Sequence, residues 1–211
     1  VNVAVGTSVY TGLLNARGGY ESDVTITRLS AQEFLVLTGT AQATRDADWI
    51  RRNMRGDARA TLTDVTSAYS VLALMGPKSR ELLQRVSRTP LANTAFPFAA
   101  VRQIAIGHAT AWGCRRTYVG ELGWELYVPS EFTTSVYDTL MAASADVGLK
   151  DAGYYALEGL RLEKGYRAWG RELTPDITPY EAGLGFAVRL DKATDFIGKT
   201  ALSMAKLQPP K

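Results

Sequence analysis

The chain has 211 residues, 46% of them apolar and 21% charged, with a net charge of +3. That supports one large core or two small ones; no apolar run reaches the ~18 residues of a membrane span, no leader-like segment opens the sequence, and the mild basic excess is too scattered for a nucleic-acid stripe. With one cysteine, Cys114, and one histidine, His108, an internal disulfide is excluded, and a zinc site or a Cys/His nucleophile pair is hard to build.

The alternating Val1, Val3 and Val5 read as a strand cut at its start. The tail Leu207–Lys211 follows a helical stretch that leads nowhere, so the edges suggest a piece of something larger. Residues 8–29 read as a β-hairpin. Asn15 and Gly18-Gly19 carry the turn, and Val24, Ile26 and Arg28 alternate with Thr25, Thr27 and Leu29. Phe34–Thr38 is a further short strand. Thr44–Met54 is helical by the spacing of Ala47, Ile50 and Met54, with Thr44 as N-cap and Asp46 and Asp48 in its first turn.

Tyr69–Met75 is an apolar strand stopped by Gly76-Pro77, and Pro77 suits the first turn of a helix running to about Val86. After a Pro-containing loop, strands are expected at Val101–Ile106, Ala109–Arg116 and Trp124–Val128. Helices are expected at Phe132–Val147 and Tyr154–Lys164, a strand at Phe186–Leu190, and a short helix at Lys199–Lys206. This irregular mixture predicts an α+β fold, with antiparallel sheets and packed helices, rather than a doubly wound parallel sheet. Neither a Gly-x-Gly-x-x-Gly turn after a strand nor a P-loop is present, which disfavours those two modes of nucleotide binding.

Three stretches concentrate chemistry. Gly18-Gly19-Tyr20-Glu21-Ser22-Asp23 presents a carboxylate as the chain leaves a glycine turn. Tyr118-Val119-Gly120-Glu121-Leu122-Gly123-Trp124-Glu125 packs aromatics, glycines and carboxylates together, with Glu121 and Glu125 of one parity in an extended segment. Leu160-Arg161-Leu162-Glu163-Lys164-Gly165 is a helix end closed by glycine, leading to Trp169-Gly170-Arg171-Glu172-Leu173. Each stretch taken singly is equally satisfied by a solvated turn, a hairpin with exposed acids, or a salt-bridged helix surface.

In this order, together with Tyr10–Asn15, Thr178-Pro179-Tyr180-Glu181-Ala182-Gly183-Leu184 and Phe196–Leu202, they resemble the folate-binding aminomethyltransferase family. That family comprises the glycine-cleavage T-protein and the C-terminal halves of sarcosine and dimethylglycine dehydrogenases. The resemblance runs nearly end to end. Ser22-Asp23, Tyr118–Glu125 and Trp169–Leu173 are worded more like the dehydrogenase side. Thr38-Gly39-Thr40 stands where the T-protein carries an Asn.

The resemblance implies a T-protein-like fold truncated at both ends. It implies a discontinuous folate-binding lobe, 1–60 plus 172–208, a second α+β lobe over 61–171, and an absent C-terminal barrel domain. Asp23 is implied as the catalytic carboxylate, and Tyr10 would line its pocket. Glu125 would accept hydrogen bonds from the pterin edge, Tyr118 would pack near the folate, Arg161 would meet its anionic tail, and Trp169 would flank it.

The implied function is tetrahydrofolate-dependent one-carbon transfer. An iminium carbon from an amine-derived small-molecule donor is captured to form 5,10-methylenetetrahydrofolate. FAD would belong to a separate flavin domain of the same parent chain. No metal, nucleic acid or membrane is implied, and the location would be a bacterial cytoplasm or a mitochondrial matrix. The alternatives are a stand-alone T-protein-like aminomethyltransferase and a non-catalytic, folate-binding regulatory relative.

Overall fold

A computed structural model describes residues 1–207; the expected tail after Leu207, and the end of the implied lobe at Gln208, lie outside the described residues. The strands are β1 (Thr7–Leu14), β2 (Tyr20–Arg28), β3 (Phe34–Leu37), β4 (Tyr69–Met75), β5 (Val101–Ile106), β6 (Ala109–Cys114) and β7 (Gly123–Pro129). The helices are α1 (Ala43–Asn53), α2 (Ser79–Val86), α3 (Thr133–Ala142), α4 (Tyr154–Lys164) and α5 (Lys199–Ala205). Two compact units result: one takes Val1, Val9–Leu62 and the chain from Arg167 onward, the other Asn2–Ser8 and Thr63–Tyr166.

The first unit is built on the sheet β1-β2-β3. β2 and β3 run antiparallel, with Thr25 opposite Leu37 and Arg28 opposite Phe34. The turn between β1 and β2 is held by one side chain. Asn15 Oδ1 accepts from the backbone N–H groups of Arg17 and Gly19, and Asn15 Nδ2 donates to the Pro175 carbonyl at 2.9 Å. Gly19 cannot be larger, because a Cβ there would lie 1.9 Å from the Pro175 carbonyl oxygen. The turn therefore locks β2 to the chain near residue 175. Leu14, Tyr20, Leu173, Ala182 and Leu202 form the core beneath it.

The second unit is built on the antiparallel sheet β4-β7-β6-β5. Strand periodicity sorts β7 into two faces. Trp124, Leu126 and Val128 are fully buried in a core with Leu82 and Leu83 of α2 and Val136 and Leu140 of α3. Glu125 and Tyr127 point to the opposite face. There Cys114 lies opposite Glu125 and Trp112 opposite Tyr127.

The hairpin, the Tyr69–Met75 strand and the helix ending at Gly165 stand where the sequence puts them, and Gly165 takes the left-handed φ of 77° that closes α4. Other expectations are corrected. The alternating valines do not form a strand, which begins only at Thr7; Val1 and Val5 are exposed. Thr44 is not a cap, because a 3-10 turn over Thr40–Gln42 feeds α1 and Gln42 takes the N-cap position.

Phe186–Leu190 is not a strand. The N–H groups of Ala187 and Val188 bond back to Leu184 and Gly185 in a 3-10 turn, and Phe186 is exposed. The helix expected to reach Val147 stops at Ala142, where the Ser144 hydroxyl bonds to the Met141 carbonyl. Glu121 lies in a bend before β7, so its shared parity with Glu125 has no structural meaning. Among the described residues no helix is long and apolar enough to cross a membrane.

Candidate functional site

The first unit brings Tyr10 and Asp23 together. The Tyr10 hydroxyl on β1 donates to Asp23 Oδ2 on β2 at 3.0 Å. Burial pushes the Asp23 carboxyl above its ordinary value, the Tyr10 hydrogen bond opposes that rise, and the nearby Asp46 carboxylate adds to it. A carboxyl of this kind takes and releases a proton closer to neutrality than a solvated one does.

Trp169 belongs to the same unit, and its indole N–H reaches the Tyr20 carbonyl at 3.5 Å. The Arg45 guanidinium lies 4.4 Å from the Trp169 ring centroid, within cation–π range. Arg45 is itself anchored, donating to the Glu21 carbonyl at 2.6 Å and pairing with the Glu21 carboxylate. One face of the indole is thus held by an arginine on α1. Reading the sequence alone misses both Arg45 and Glu21, which lie 24 residues apart in the chain.

In the second unit, Glu125 is half-buried and accepts from the Tyr127 hydroxyl at 2.8 Å. Burial raises the Glu125 carboxyl, while Tyr127 and the Arg116 charge pull it down. Burial and the Glu125 carboxylate together drive the Tyr127 phenol far above its ordinary range, so Tyr127 is a fixed donor. Arg116 also donates to Ser8 Oγ at 3.1 Å, and that hydroxyl lies 3.4 Å from the buried Cys114 thiol. The period-2 relation between Glu125 and Tyr127 was the available signal for the partner of Glu125.

Tyr118 stacks on Tyr166, the ring planes 8° apart and the centroids at 6.1 Å. Arg161 is not an exposed cation; it is 1% exposed. Its Nε and Nη2 grip the Glu158 carboxylate at 3.1 and 2.9 Å, and Nη1 donates to the Tyr166 carbonyl at 2.9 Å. A ligand carboxylate would have to displace Glu158. His108 sits in the tight turn between β5 and β6 and is exposed.

An antiparallel α+β fold carrying a paired tyrosine and carboxyl on its hairpin defines a class, and comparison with known proteins identifies it. Residues 1–192 match the model of the GCVT N-terminal domain, and the chain belongs to that family. It is 43% identical over 209 residues to 4-methylaminobutanoate oxidase (formaldehyde-forming) of Paenarthrobacter nicotinovorans, covering 99% of this chain and 25% of that protein. It is 38% identical over 205 residues to mitochondrial dimethylglycine dehydrogenase of Mus musculus, covering 97% of this chain and 24% of that protein. The chain thus spans about a quarter of the length of these relatives. The crystal structure of the glycine cleavage system aminomethyltransferase T from Bartonella henselae superposes with a TM-score of 0.81 at 27% identity, over 99% of this chain and 55% of that one.

Proposed function

We propose that this chain is the tetrahydrofolate-dependent one-carbon transfer region of a sarcosine or dimethylglycine dehydrogenase-like enzyme. The observation that carries the reading is the Tyr10–Asp23 pair, a half-buried carboxyl with a raised proton affinity on the hairpin of a GCVT-family fold. Tetrahydrofolate, when bound, supplies two nucleophilic nitrogens, N5 and N10, able to take up a one-carbon unit.

The residues present fit that group. Glu125 is a half-buried carboxylate fixed by Tyr127, and such a carboxylate suits the N–H edge of a pterin. In the second unit Tyr118, stacked on Tyr166, offers an aromatic face suited to a pterin or aminobenzoyl ring, and in the first unit Trp169, backed by Arg45, offers an aromatic face of its own. Arg161 acts from inside its helix end, holding the carbonyl of Tyr166 and so the ring on which Tyr118 rests.

Tyr10 holds the Asp23 carboxyl in place, and that carboxyl exchanges a proton with the reacting amine nitrogen. No histidine is needed for this. An oxidised N-methylamine is the fitting donor, and its oxidation is assigned to a flavin-bearing segment of a longer parent chain. The names of the oxidase and dehydrogenase relatives support that assignment. We place the chemistry in a bacterial cytoplasm or a mitochondrial matrix.

The test is a pair of measurements on Asp23→Asn. Calorimetric titration with tetrahydrofolate should give an affinity close to that of the unaltered protein. Transfer to tetrahydrofolate should slow by ~10²–10⁴-fold, the usual worth of general acid–base catalysis. An unchanged transfer rate overturns the role.

A further inference from the structure

Behind Asp23 lies a second carboxylate that the proposed reaction does not use. Asp46, in the first turn of α1, is 2% exposed. Its Oδ2 accepts from Ser22 Oγ at 2.6 Å and from Thr38 Oγ1. Ser22 is itself fully buried and immediately precedes Asp23 on β2, while Thr38 follows the last residue of β3. One oxygen atom therefore ties β2, the end of β3 and the start of α1 together.

Stability alone does not account for this. A buried carboxylate is costly to desolvate, and well-packed apolar groups of similar volume commonly serve stability as well or better. Among the described residues no lysine or arginine pairs with Asp46, so its partners are two neutral hydroxyls and the favourable end of the α1 dipole. What the arrangement does supply is placement. Side chains alternate along a strand, so the Ser22 tie holds β2 from the face opposite Asp23. Tyr10 holds Asp23 from its own face.

We propose that Asp46 is a positioning residue for Asp23, fixing through Ser22 and Thr38 the stretch of β2 that presents the Asp23 carboxyl. The proposal rests on the reading of Asp23 as the proton carrier. The groups that act on Asp23 are the Tyr10 hydroxyl from its own face, and, through the field, Asp46 from α1, while Tyr20 of β2 feels the Asp23 charge in turn. Of these, Asp46 alone brings a second negative charge. It therefore acts on Asp23 both through the backbone and through the field, and the two routes separate by mutation.

The experiment follows the Asp23 carboxyl by carbon-13 NMR across pH, its resonance assigned by loss in Asp23→Asn. Asp46→Asn keeps an acceptor for the two hydroxyls and removes the charge, so the Asp23 midpoint should move toward acid. Ser22→Ala keeps the charge and cuts the tie, so the Tyr10 contact loosens. The midpoint should then move upward, in the direction set by Tyr10→Phe. A purely structural Asp46 would lower the melting temperature and leave both midpoints in place, which overturns the proposal.

Where Asp46→Asn does not fold, Ser22→Ala decides alone, and an unmoved midpoint overturns the proposal. Failure of the parent reading looks different. Asp23→Asn then transfers one-carbon units at the unaltered rate, whatever the NMR midpoints do.

Discussion

The Tyr10 hydroxyl and the Asp23 carboxylate meet at 3.0 Å on neighbouring strands of one sheet. The bond favours the ionised carboxylate, against a burial effect that favours the protonated acid. Tyr10→Phe removes the opposing influence, so the Asp23 carboxyl should titrate at still higher pH. The acid limb of the transfer rate should move toward neutrality, as a pH–rate profile will show.

The same carboxyl links stability to pH. The folded chain binds the Asp23 proton more tightly than the unfolded chain, whose carboxyl keeps the ordinary value of 3.8. Between that value and the raised folded one, the folded state holds more protons, so the Asp23 contribution to stability falls as pH rises and is level above. Asp23→Asn removes this dependence. Urea unfolding at a series of pH values should show the variant gaining on the parent as pH rises through that window, with the gain absent at more acid pH.

Glu125 offers a carboxylate where folate is proposed to bind. Glu125→Gln keeps an acceptor for Tyr127 and removes the charge and half the acceptor capacity. A charge-assisted hydrogen bond is worth about 1.5–3 kcal/mol. Tetrahydrofolate affinity should therefore drop by roughly 10- to 100-fold, measured by calorimetric titration. An unaltered affinity removes Glu125 from the binding residues.

Gly19 is required by space. Its missing Cβ would fall 1.9 Å from the Pro175 carbonyl oxygen, and backbone cannot swing aside as a side chain can. Gly19→Ala should destabilise the protein by about 1–3 kcal/mol, as overpacking commonly does. The drop should appear in a thermal melt of the apo protein.

Arg161 and Glu158 make a bidentate pair around a guanidinium that is 1% exposed. Arg161→Met leaves Glu158 without its cation and the Tyr166 carbonyl without its donor. Removing one partner of a buried pair typically costs about 3–5 kcal/mol. Denaturant unfolding should register a loss of that order, and tetrahydrofolate affinity at temperatures where the variant stays folded should fall as the Tyr118–Tyr166 stack loosens.

How much of this was legible from the sequence follows from the range of each signal. Alternation along a strand is local, so the buried Trp124, Leu126 and Val128 and the outward Glu125 could be read directly. Turn chemistry is local too, and Asn15 with Gly18-Gly19 announced the hairpin. Long-range pairing is not. Asp46 looks like an ordinary acidic residue at a helix start, and only the return of β2 against α1 turns it into a buried acceptor for Ser22.

Arg161 shows the same limit. Its guanidinium suits an anionic ligand by chemistry alone, yet Glu158 one turn earlier already occupies it. The Glu121 parity failed because the bend at 119–122 breaks the extended backbone that parity presumes.

Cys114 has a practical consequence. It is the chain's single cysteine, its side chain is fully buried, and its thiol is raised by burial beside Ser8. A maleimide or disulfide reagent can react only when the sheet around β6 opens. The alkylation rate is thus a clock for breathing of the unit made of Asn2–Ser8 and Thr63–Tyr166. Comparing that clock with and without tetrahydrofolate would tell whether the ligand stiffens this unit, with no cysteine introduced by mutation.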